Sequence, residues 1–278
     1  MFTRGARRRA VGVAVLSVGL VIGLAGCGDD DDDGDDGNFG PAQTEGLPTR
    51  EALLAALEGA QDDFTGPDAN GGLNTEMWAT VVDRSGIVVA VVYSGPGVGD
   101  QWLLSRVISA QKANTANGLS LNGLALSTAN LYAATQPGGS LFGLQESNPV
   151  NPELAYAGDI NSFGTADDPM IGKRVGGVNV FGGGLALYNA AGEKIGAIGV
   201  SGDTSCADHN IAWKMRDALT LDYVPAGVAD AGTTDNIIYD IGIGGTSAGG
   251  FGHPECSAVS TTTAQAFPTT HPISTVTP

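Results

Sequence analysis

Apolar residues recur at helical spacing in several parts of this chain. The pattern predicts four helices, one that begins near Thr49 and three over residues 100–117, 127–136 and 207–219. In the first helix, Leu53, Leu54 and Leu57 share one face, and Thr49 can cap it. In the last, Asp208 lies in the first turn after a cap near Ser205, where a negative charge suits the helix dipole.

Runs of β-branched and aromatic residues predict five strands, over residues 77–82, 87–93, 176–181, 185–188 and 195–200. A four-residue turn that ends in Gly86 joins the first two strands and predicts a hairpin. The order is a helix, two strands, two helices, three strands and a helix. This order predicts a single α+β domain with a largely antiparallel sheet.

Composition changes along the chain and divides it further. We expect the α+β domain to occupy residues 48–222 and an extension to occupy residues 223–256. Within the domain, residues 137–172 are rich in Gly, Pro, Asn and Asp, and a loop of that length is more often functional or protective than idle. The tail over residues 257–278 is uncharged apart from its histidine and rich in Ser, Thr and Pro, so we expect loose order there.

Overall composition excludes several classes of protein. The 278 residues are 42% hydrophobic, which is enough to build a core and argues against disorder throughout. The 43 glycines have no collagen period. A formal net charge of −17 excludes the basic surface on which nucleic-acid binding depends.

The first residues have the three parts of an export signal. Four arginines precede an uncharged stretch over residues 11–26, which is short for a membrane span of about 20 residues. The stretch ends in Leu-Ala-Gly followed by Cys27 and resembles a bacterial lipoprotein signal. That resemblance implies that residues 1–26 are removed and that Cys27 is lipidated, which predicts a protein of the bacterial cell envelope held to a membrane only by its lipid. An uncleaved anchor helix is the alternative.

An acidic run follows, from Asp29 to Asp36. Its opening has the spacing of a calcium loop, but Gly40 stands where that loop needs a bidentate Glu, and no helices flank it. We therefore interpret residues 27–47 as a solvated, self-repelling tether.

Two segments carry a resemblance to a known family. The first, over residues 110–116, reads Ala-Gln-Lys-Ala-Asn-Thr-Ala. The second has paired glycines at Gly183 and Gly184, then Gly-Glu-Lys-Ile-Gly-Ala-Ile-Gly-Val-Ser-Gly over residues 192–202, with Asp208 six residues beyond. Together they resemble the GlcG/HbpS-like haem-binding, or "haem-degrading", domain family over about residues 76–220.

The resemblance implies an α-β-α arrangement around a five-stranded, mostly antiparallel sheet, assembly into homo-oligomers, and haem binding, which holds for some members. The sequence departs from the family pattern where Leu185 or Ala186 replaces its usual Pro. The loop over residues 137–172 and the section after Asp222 are also longer than in simple members.

Two cysteines remain once Cys27 is lipidated. Because the count is even and the setting is oxidising, we predict a disulfide between Cys206 and Cys256. That bond would draw His209 and His253 toward one end of the domain, and three interpretations stay open. The histidines could join the cysteines in a zinc site, supply an axial ligand to haem iron, or be structural. We expect no role for His271.

Lys112 and Thr115 are three residues apart on the predicted helix and face roughly the same way. Lys112 could pair with a ligand carboxylate such as a haem propionate, with Thr115 beside it. Equally, Lys112 could make a buried structural contact, for which Asp208 is a candidate partner, since lysine is rarely buried without one.

No enzyme signature is complete. Asp203 stands where the hydrolase elbow needs a final Gly, and the glycines over residues 182–184 lack dinucleotide-loop spacing. With no convincing nucleophile or acid–base pair, we expect no catalytic residues and a protein that binds, stores or senses haem or a related small planar ligand. A haem-dependent redox or haem-degrading enzyme and a cofactor-free envelope adaptor are the alternatives.

Overall fold

Four strands form one sheet in the computed structural model, which describes residues 40–61 and 69–276. They are β1 (Trp78–Asp83), β2 (Val88–Tyr93), β3 (Gly184–Tyr188) and β4 (Lys194–Ser201), in the order β2-β1-β4-β3 with every neighbouring pair antiparallel. Almost every strand residue is buried, because helices cover both faces of the sheet. The predicted signal, Cys27 and most of the acidic tether lie outside the described residues.

The helices differ widely in length. Four have twelve or more residues: α1 (Arg50–Gln61), α2 (Ser105–Leu119), α6 (Ser205–Ala218) and α7 (Ala258–Thr270). Three are single turns: α3 (Tyr132–Thr135), α4 (Leu144–Ser147) and α5 (Pro152–Ala155). In the part of the chain that the structure describes, none is long and apolar enough to cross a membrane.

The layers follow the predicted α-β-α arrangement. Helix α2 lies on one face of the sheet against β1, β3 and β4, and α1 and α6 lie on the other. The approach of α2 depends on Gly199, because a Cβ atom there would lie 1.9 Å from the carbonyl oxygen of Ser109. One apolar core therefore fills the space beneath α1 and α6, and a second fills the space beneath α2.

The described residues form four strands, so the five-stranded sheet implied by the resemblance is wrong for this chain. Alternating apolar residues predict a strand over 176–181, but Gly176 and Gly177 adopt positive φ angles of 66° and 84°. The segment then binds side chains of α2: Asn114 donates to the Gly177 carbonyl at 2.8 Å, and the Asn179 N–H donates to Thr115 at 2.9 Å. Its hydrogen bonds to α2 replace those of a strand pair.

The long loop over residues 137–172 is an ordered cover for the second core. It contains α4, α5 and a short 3₁₀ turn (Ile160–Ser162), and it buries Met170 beneath α2. A buried ion pair fastens it, because Nε of Arg106 donates to the Asp168 carboxylate at 2.9 Å.

The chain after residue 256 is more ordered than its composition predicts. A reciprocal cap between Ser257 and Ser260 begins α7, and Phe267 is fully buried, stacked on Trp213 with ring centroids 5.4 Å apart. The expectation of loose order is therefore wrong for α7. An apolar face and a capping signal outweigh the Ser/Thr-rich composition.

Candidate functional site

A buried ion pair joins the two family motifs. Lys112, on α2, donates from Nζ to the Asp208 carboxylate at 2.6 Å and to the Val200 carbonyl at 3.0 Å. The other carboxylate oxygen of Asp208 accepts the N–H of Asp203 at 2.9 Å. Burial raises the pKa of Asp208 to about 6, although the adjacent ammonium opposes that shift, and burial lowers the pKa of Lys112. The pair links the helices on the two faces of the sheet.

The paired glycines of the motif close over this ion pair. Gly183 has a φ of 115°, and a Cβ atom there would lie 2.4 Å from the Val200 carbonyl oxygen and 3.1 Å from Nζ of Lys112. The N–H of Gly184 donates to the hydroxyl of Thr128 at 2.8 Å. Glycine is needed at position 183 because a side chain would not fit between the backbone and the ion pair.

Thr115 has a structural position. Its hydroxyl donates to the Gln111 carbonyl at 2.7 Å and accepts the N–H of Asn179, as described above. It therefore holds the segment over residues 176–181 against α2.

The predicted disulfide between Cys206 and Cys256 is present. His253 lies beside it, with Nδ1 2.7 Å from the Pro254 carbonyl oxygen and Nε2 3.1 Å from the hydroxyl of Ser205. The carbonyl contact assigns the ring proton to Nδ1. Burial lowers the pKa of His253 to about 4, so the imidazole is neutral at pH 7.

His209 is fully buried. Its Nε2 lies 3.1 Å from the backbone nitrogen of Ile237 and 3.3 Å from Oδ1 of Asn236, and its Nδ1 is a buried atom without a hydrogen-bond partner among the described residues. Burial lowers the pKa of His209 to about 3.

As arranged here, these predicted residues do not fit a haem. Lys112 already neutralises Asp208, and hydrogen bonds hold His209 and His253 inside the domain. Neither histidine is among the residues that line four surface pockets of the described chain. Ligation of haem iron by either one stays a prediction that requires these contacts to break.

Sequence reasoning missed an apolar surface pocket of about 290 Å³, hereafter the apolar pocket. Its lining residues come from the start of α2 and from the long loop: Leu103, Leu104, Arg106, Val107, Tyr156 and Phe163. Leu104 is 59% exposed and Tyr156 is 55% exposed. The guanidinium of Arg106 lies 3.7 Å from the ring centroid of Phe163, and its charge is met by Asp168.

A signal for this pocket exists in the sequence. Trp102, Leu103 and Leu104 are consecutive apolar residues, and consecutive residues of a helix cannot all lie on its buried face. The helix predicted over residues 100–117 includes these three residues, but α2 begins at Ser105. Their side chains therefore lie outside the helix and are exposed. The contribution of Tyr156 and Phe163, about 50 residues away, has no local signal.

The fold and the buried pair define an α+β domain with one helix on one face of an antiparallel sheet and two on the other. A protein-family model described as "Haem degrading protein HbpS-like" matches residues 68–216, more than half of the chain. The chain therefore belongs to the HbpS-like haem-degrading family. No curated protein matches it.

Three solved structures are similar to the chain. The ORFY protein of Klebsiella pneumoniae is 25% identical over 62% of this chain and 90% of its own, with a TM-score of 0.41. A PduOC–haem complex is 22% identical over 63% and 93%, with a TM-score of 0.41. HbpS is 16% identical over 60% and 86%, with a TM-score of 0.34. Because these TM-scores are below 0.5, the family assignment rests on the sequence match.

Proposed function

We propose that this protein binds haem or a related planar, apolar ligand in the apolar pocket. Two observations support the proposal: membership of a family described as haem-degrading, and exposed apolar side chains that surround a concave site. The exposed pocket carries the argument, because large apolar side chains grouped on a surface are typical of binding sites. A larger pocket of about 880 Å³ is lined by polar and charged residues, including Glu45, Arg84 and Lys194, which suit a macrocycle less well.

The lining residues have chemistry that suits such a ligand. Leu103, Leu104 and Phe163 offer apolar surface to the macrocycle, and Tyr156 carries a phenol oxygen, a known ligand type for haem iron. Arg106 positions Phe163, because its ion pair with Asp168 holds the guanidinium over the Phe163 ring. Haem, when bound, would supply redox-active iron. A haem is larger than the pocket, which has a volume of about 290 Å³, so the pocket would hold one edge or one face of the macrocycle.

The cellular setting is part of the same proposal. We propose an exported lipoprotein in which Cys27 carries the lipid and the acidic tether over residues 27–47 separates the domain from the membrane. Substitution of Cys27 by Ser should then release the protein from the membrane fraction of its producing cell. Unchanged fractionation would contradict the lipid anchor and leave the binding site unaffected.

A haemin titration followed by Soret absorbance tests the binding site. Leu104→Glu places a carboxylate in the apolar pocket, and Leu121→Glu is a matched control, because Leu121 is 64% exposed and lies outside it. Desolvating an unpaired polar group costs about 1–3 kcal/mol, so we expect Leu104→Glu to bind haemin about 5- to 150-fold more weakly than the control. Equal affinities, or no saturable binding by the unsubstituted chain, would contradict the proposal.

Haem degradation is the second candidate, favoured by the family description. It predicts that the Soret band of the bound haem disappears in air with added reductant, faster than the band of free haemin. A stable band under those conditions favours storage or sensing.

A further inference from the structure

The disulfide and its neighbouring histidine form a cluster with metal-ligand chemistry. One ligand atom from each of Cys206, His253 and Cys256 can be chosen so that all three lie within 4.8 Å of one another. Two are buried and Cys256 is exposed. While the disulfide is intact, the sulfur atoms are not thiolates and cannot hold a metal in that way.

We propose that reduction of this disulfide creates a site for one thiophilic divalent cation of the Zn²⁺ class, held by the thiolates of Cys206 and Cys256 and by Nδ1 of His253. The site is independent of the proposed haem function, because it uses none of the residues that line the apolar pocket. Two thiolates and one imidazole are a ligand set that zinc sites use, with a fourth position for water.

The surroundings of His253 suit this role. Its Nδ1 lies 3.9 Å from Sγ of Cys206, and its Nε2 faces the hydroxyl of Ser205 at 3.1 Å. Metal binding at Nδ1 replaces the hydrogen bond from Nδ1 to the Pro254 carbonyl oxygen, 2.7 Å away, and moves the ring proton to Nε2, where Ser205 can accept it. Such a second hydrogen bond orients the ring of most metal-bound histidines.

The surroundings of Cys256 favour a thiolate at this residue. The backbone N–H of Cys206, in the first turn of α6, points at Sγ of Cys256 at 3.3 Å, and the Ser205 hydroxyl lies 3.7 Å from the same atom. A hydrogen bond from a helix N-terminus stabilises a thiolate.

An external dithiol reduces the disulfide. One of its thiolates attacks the exposed sulfur of Cys256, and Cys206 leaves as a thiolate. The second thiol of the reductant then resolves the mixed disulfide, so two electrons and two protons pass to the protein. Binding of the divalent cation displaces the two thiol protons, and the proton of His253 moves from Nδ1 to Nε2.

Cobalt(II) is a suitable probe, because thiolate ligation gives a near-ultraviolet charge-transfer band. The full chain carrying Cys27→Ser contains no other cysteine and is titrated in its oxidised form and after reduction by a dithiol that is then removed without oxygen. We expect a saturable band at one Co²⁺ per chain in the reduced form only, and displacement of that Co²⁺ by Zn²⁺.

Two variants and one control identify the ligands. Cys256→Ser should reduce the band, because only one of the two thiolates remains, and its fold is compared with that of the reduced parent, which also lacks the disulfide. His253→Ala should weaken binding by at least about tenfold, since even the outer partners of metal ligands contribute that much. His271→Ala removes a histidine outside the cluster and should bind as the parent does.

Three results would overturn the proposal. The first is the absence of a saturable band in the reduced chain, and the second is an equal band in the oxidised chain. The third is equal Co²⁺ affinity with and without His253, which would describe two cysteines in a loosened chain rather than a built site. Circular dichroism of each reduced sample establishes whether the chain is folded when it binds.

Discussion

Substitution of Lys112 by Met separates a structural role of the buried ion pair from a ligand-binding one. Methionine keeps the length and apolar body of the lysine side chain and removes its charge. The hydrogen bonds to the Asp208 carboxylate and to the Val200 carbonyl are lost together. Asp208 would then be a buried carboxylate with the N–H of Asp203 as its described hydrogen-bond donor.

The expected cost is large. Removal of one partner from a buried ion pair destabilises a protein by about 3–5 kcal/mol, a large share of a typical total of about 5–15 kcal/mol. The carboxylate can lower that cost by taking up a proton, because burial already raises the pKa of Asp208 to about 6. We therefore expect a loss of about 3 kcal/mol at pH 7 and a smaller loss at pH 5.

The double variant Lys112→Met, Asp208→Asn provides the control. The introduced amide would still accept the N–H of Asp203 through its oxygen, and neither charge of the pair would remain, so we expect the double variant to recover much of the lost stability.

Urea unfolding of the parent, both single variants and the double variant gives the coupling free energy directly. A Lys112→Met variant within about 1 kcal/mol of the parent would refute the structural reasoning. So would a double variant no more stable than Lys112→Met. Unchanged stability with lost haemin affinity would return Lys112 to the list of ligand-binding candidates.

Two further predictions concern the pH dependence of stability and the backbone conformation at Gly183. His209 has a pKa of about 3 when folded and an ordinary value of 6.5, so the unfolded chain takes up its proton first and stability is lost as the pH falls through that interval. The free energy of unfolding of the parent should therefore exceed that of His209→Gln by an amount that decreases by about 1.4 kcal/mol per pH unit from pH 6 to pH 4. Urea unfolding at each pH measures this difference, and a difference independent of pH would contradict the prediction. Gly183→Ala should abolish or strongly reduce folded protein, because φ is positive and backbone lies 2.4 Å from the new methyl group. Gly118→Ala, on α2 with open space around it, should match or exceed the parent in thermal melting, and similar melting of the two variants would refute the argument.

Local patterns were sufficient to predict much of the fold. β1 and β4 are continuous apolar runs, and the last long helix of the domain follows a clear cap, so the predictions lie close to the observed Trp78–Asp83, Lys194–Ser201 and Ser205–Ala218. The strand predicted over residues 176–181 is wrong, because the alternating valines favour a strand whereas two glycines with positive φ turn the backbone toward α2.

Some features of the candidate site can likewise be predicted from the sequence, and others cannot. The partnership of Lys112 with Asp208 is one of two alternatives that the sequence leaves open, since buried lysine needs a partner, and the disulfide follows from an even cysteine count. The apolar pocket depends on the contact between α2 and residues 156–163, which no local pattern encodes. Tertiary packing decides which apolar side chains remain exposed.

We propose that a haem-like ligand occupies the apolar pocket and does not contact His209 or His253. The most direct test is a titration of the isotope-labelled protein with diamagnetic gallium protoporphyrin, followed by amide chemical shifts. We expect saturable shifts at residues 102–107 and 156–163. Shifts confined to residues 205–210 and 251–256 would contradict it and would place the ligand at His209 and His253.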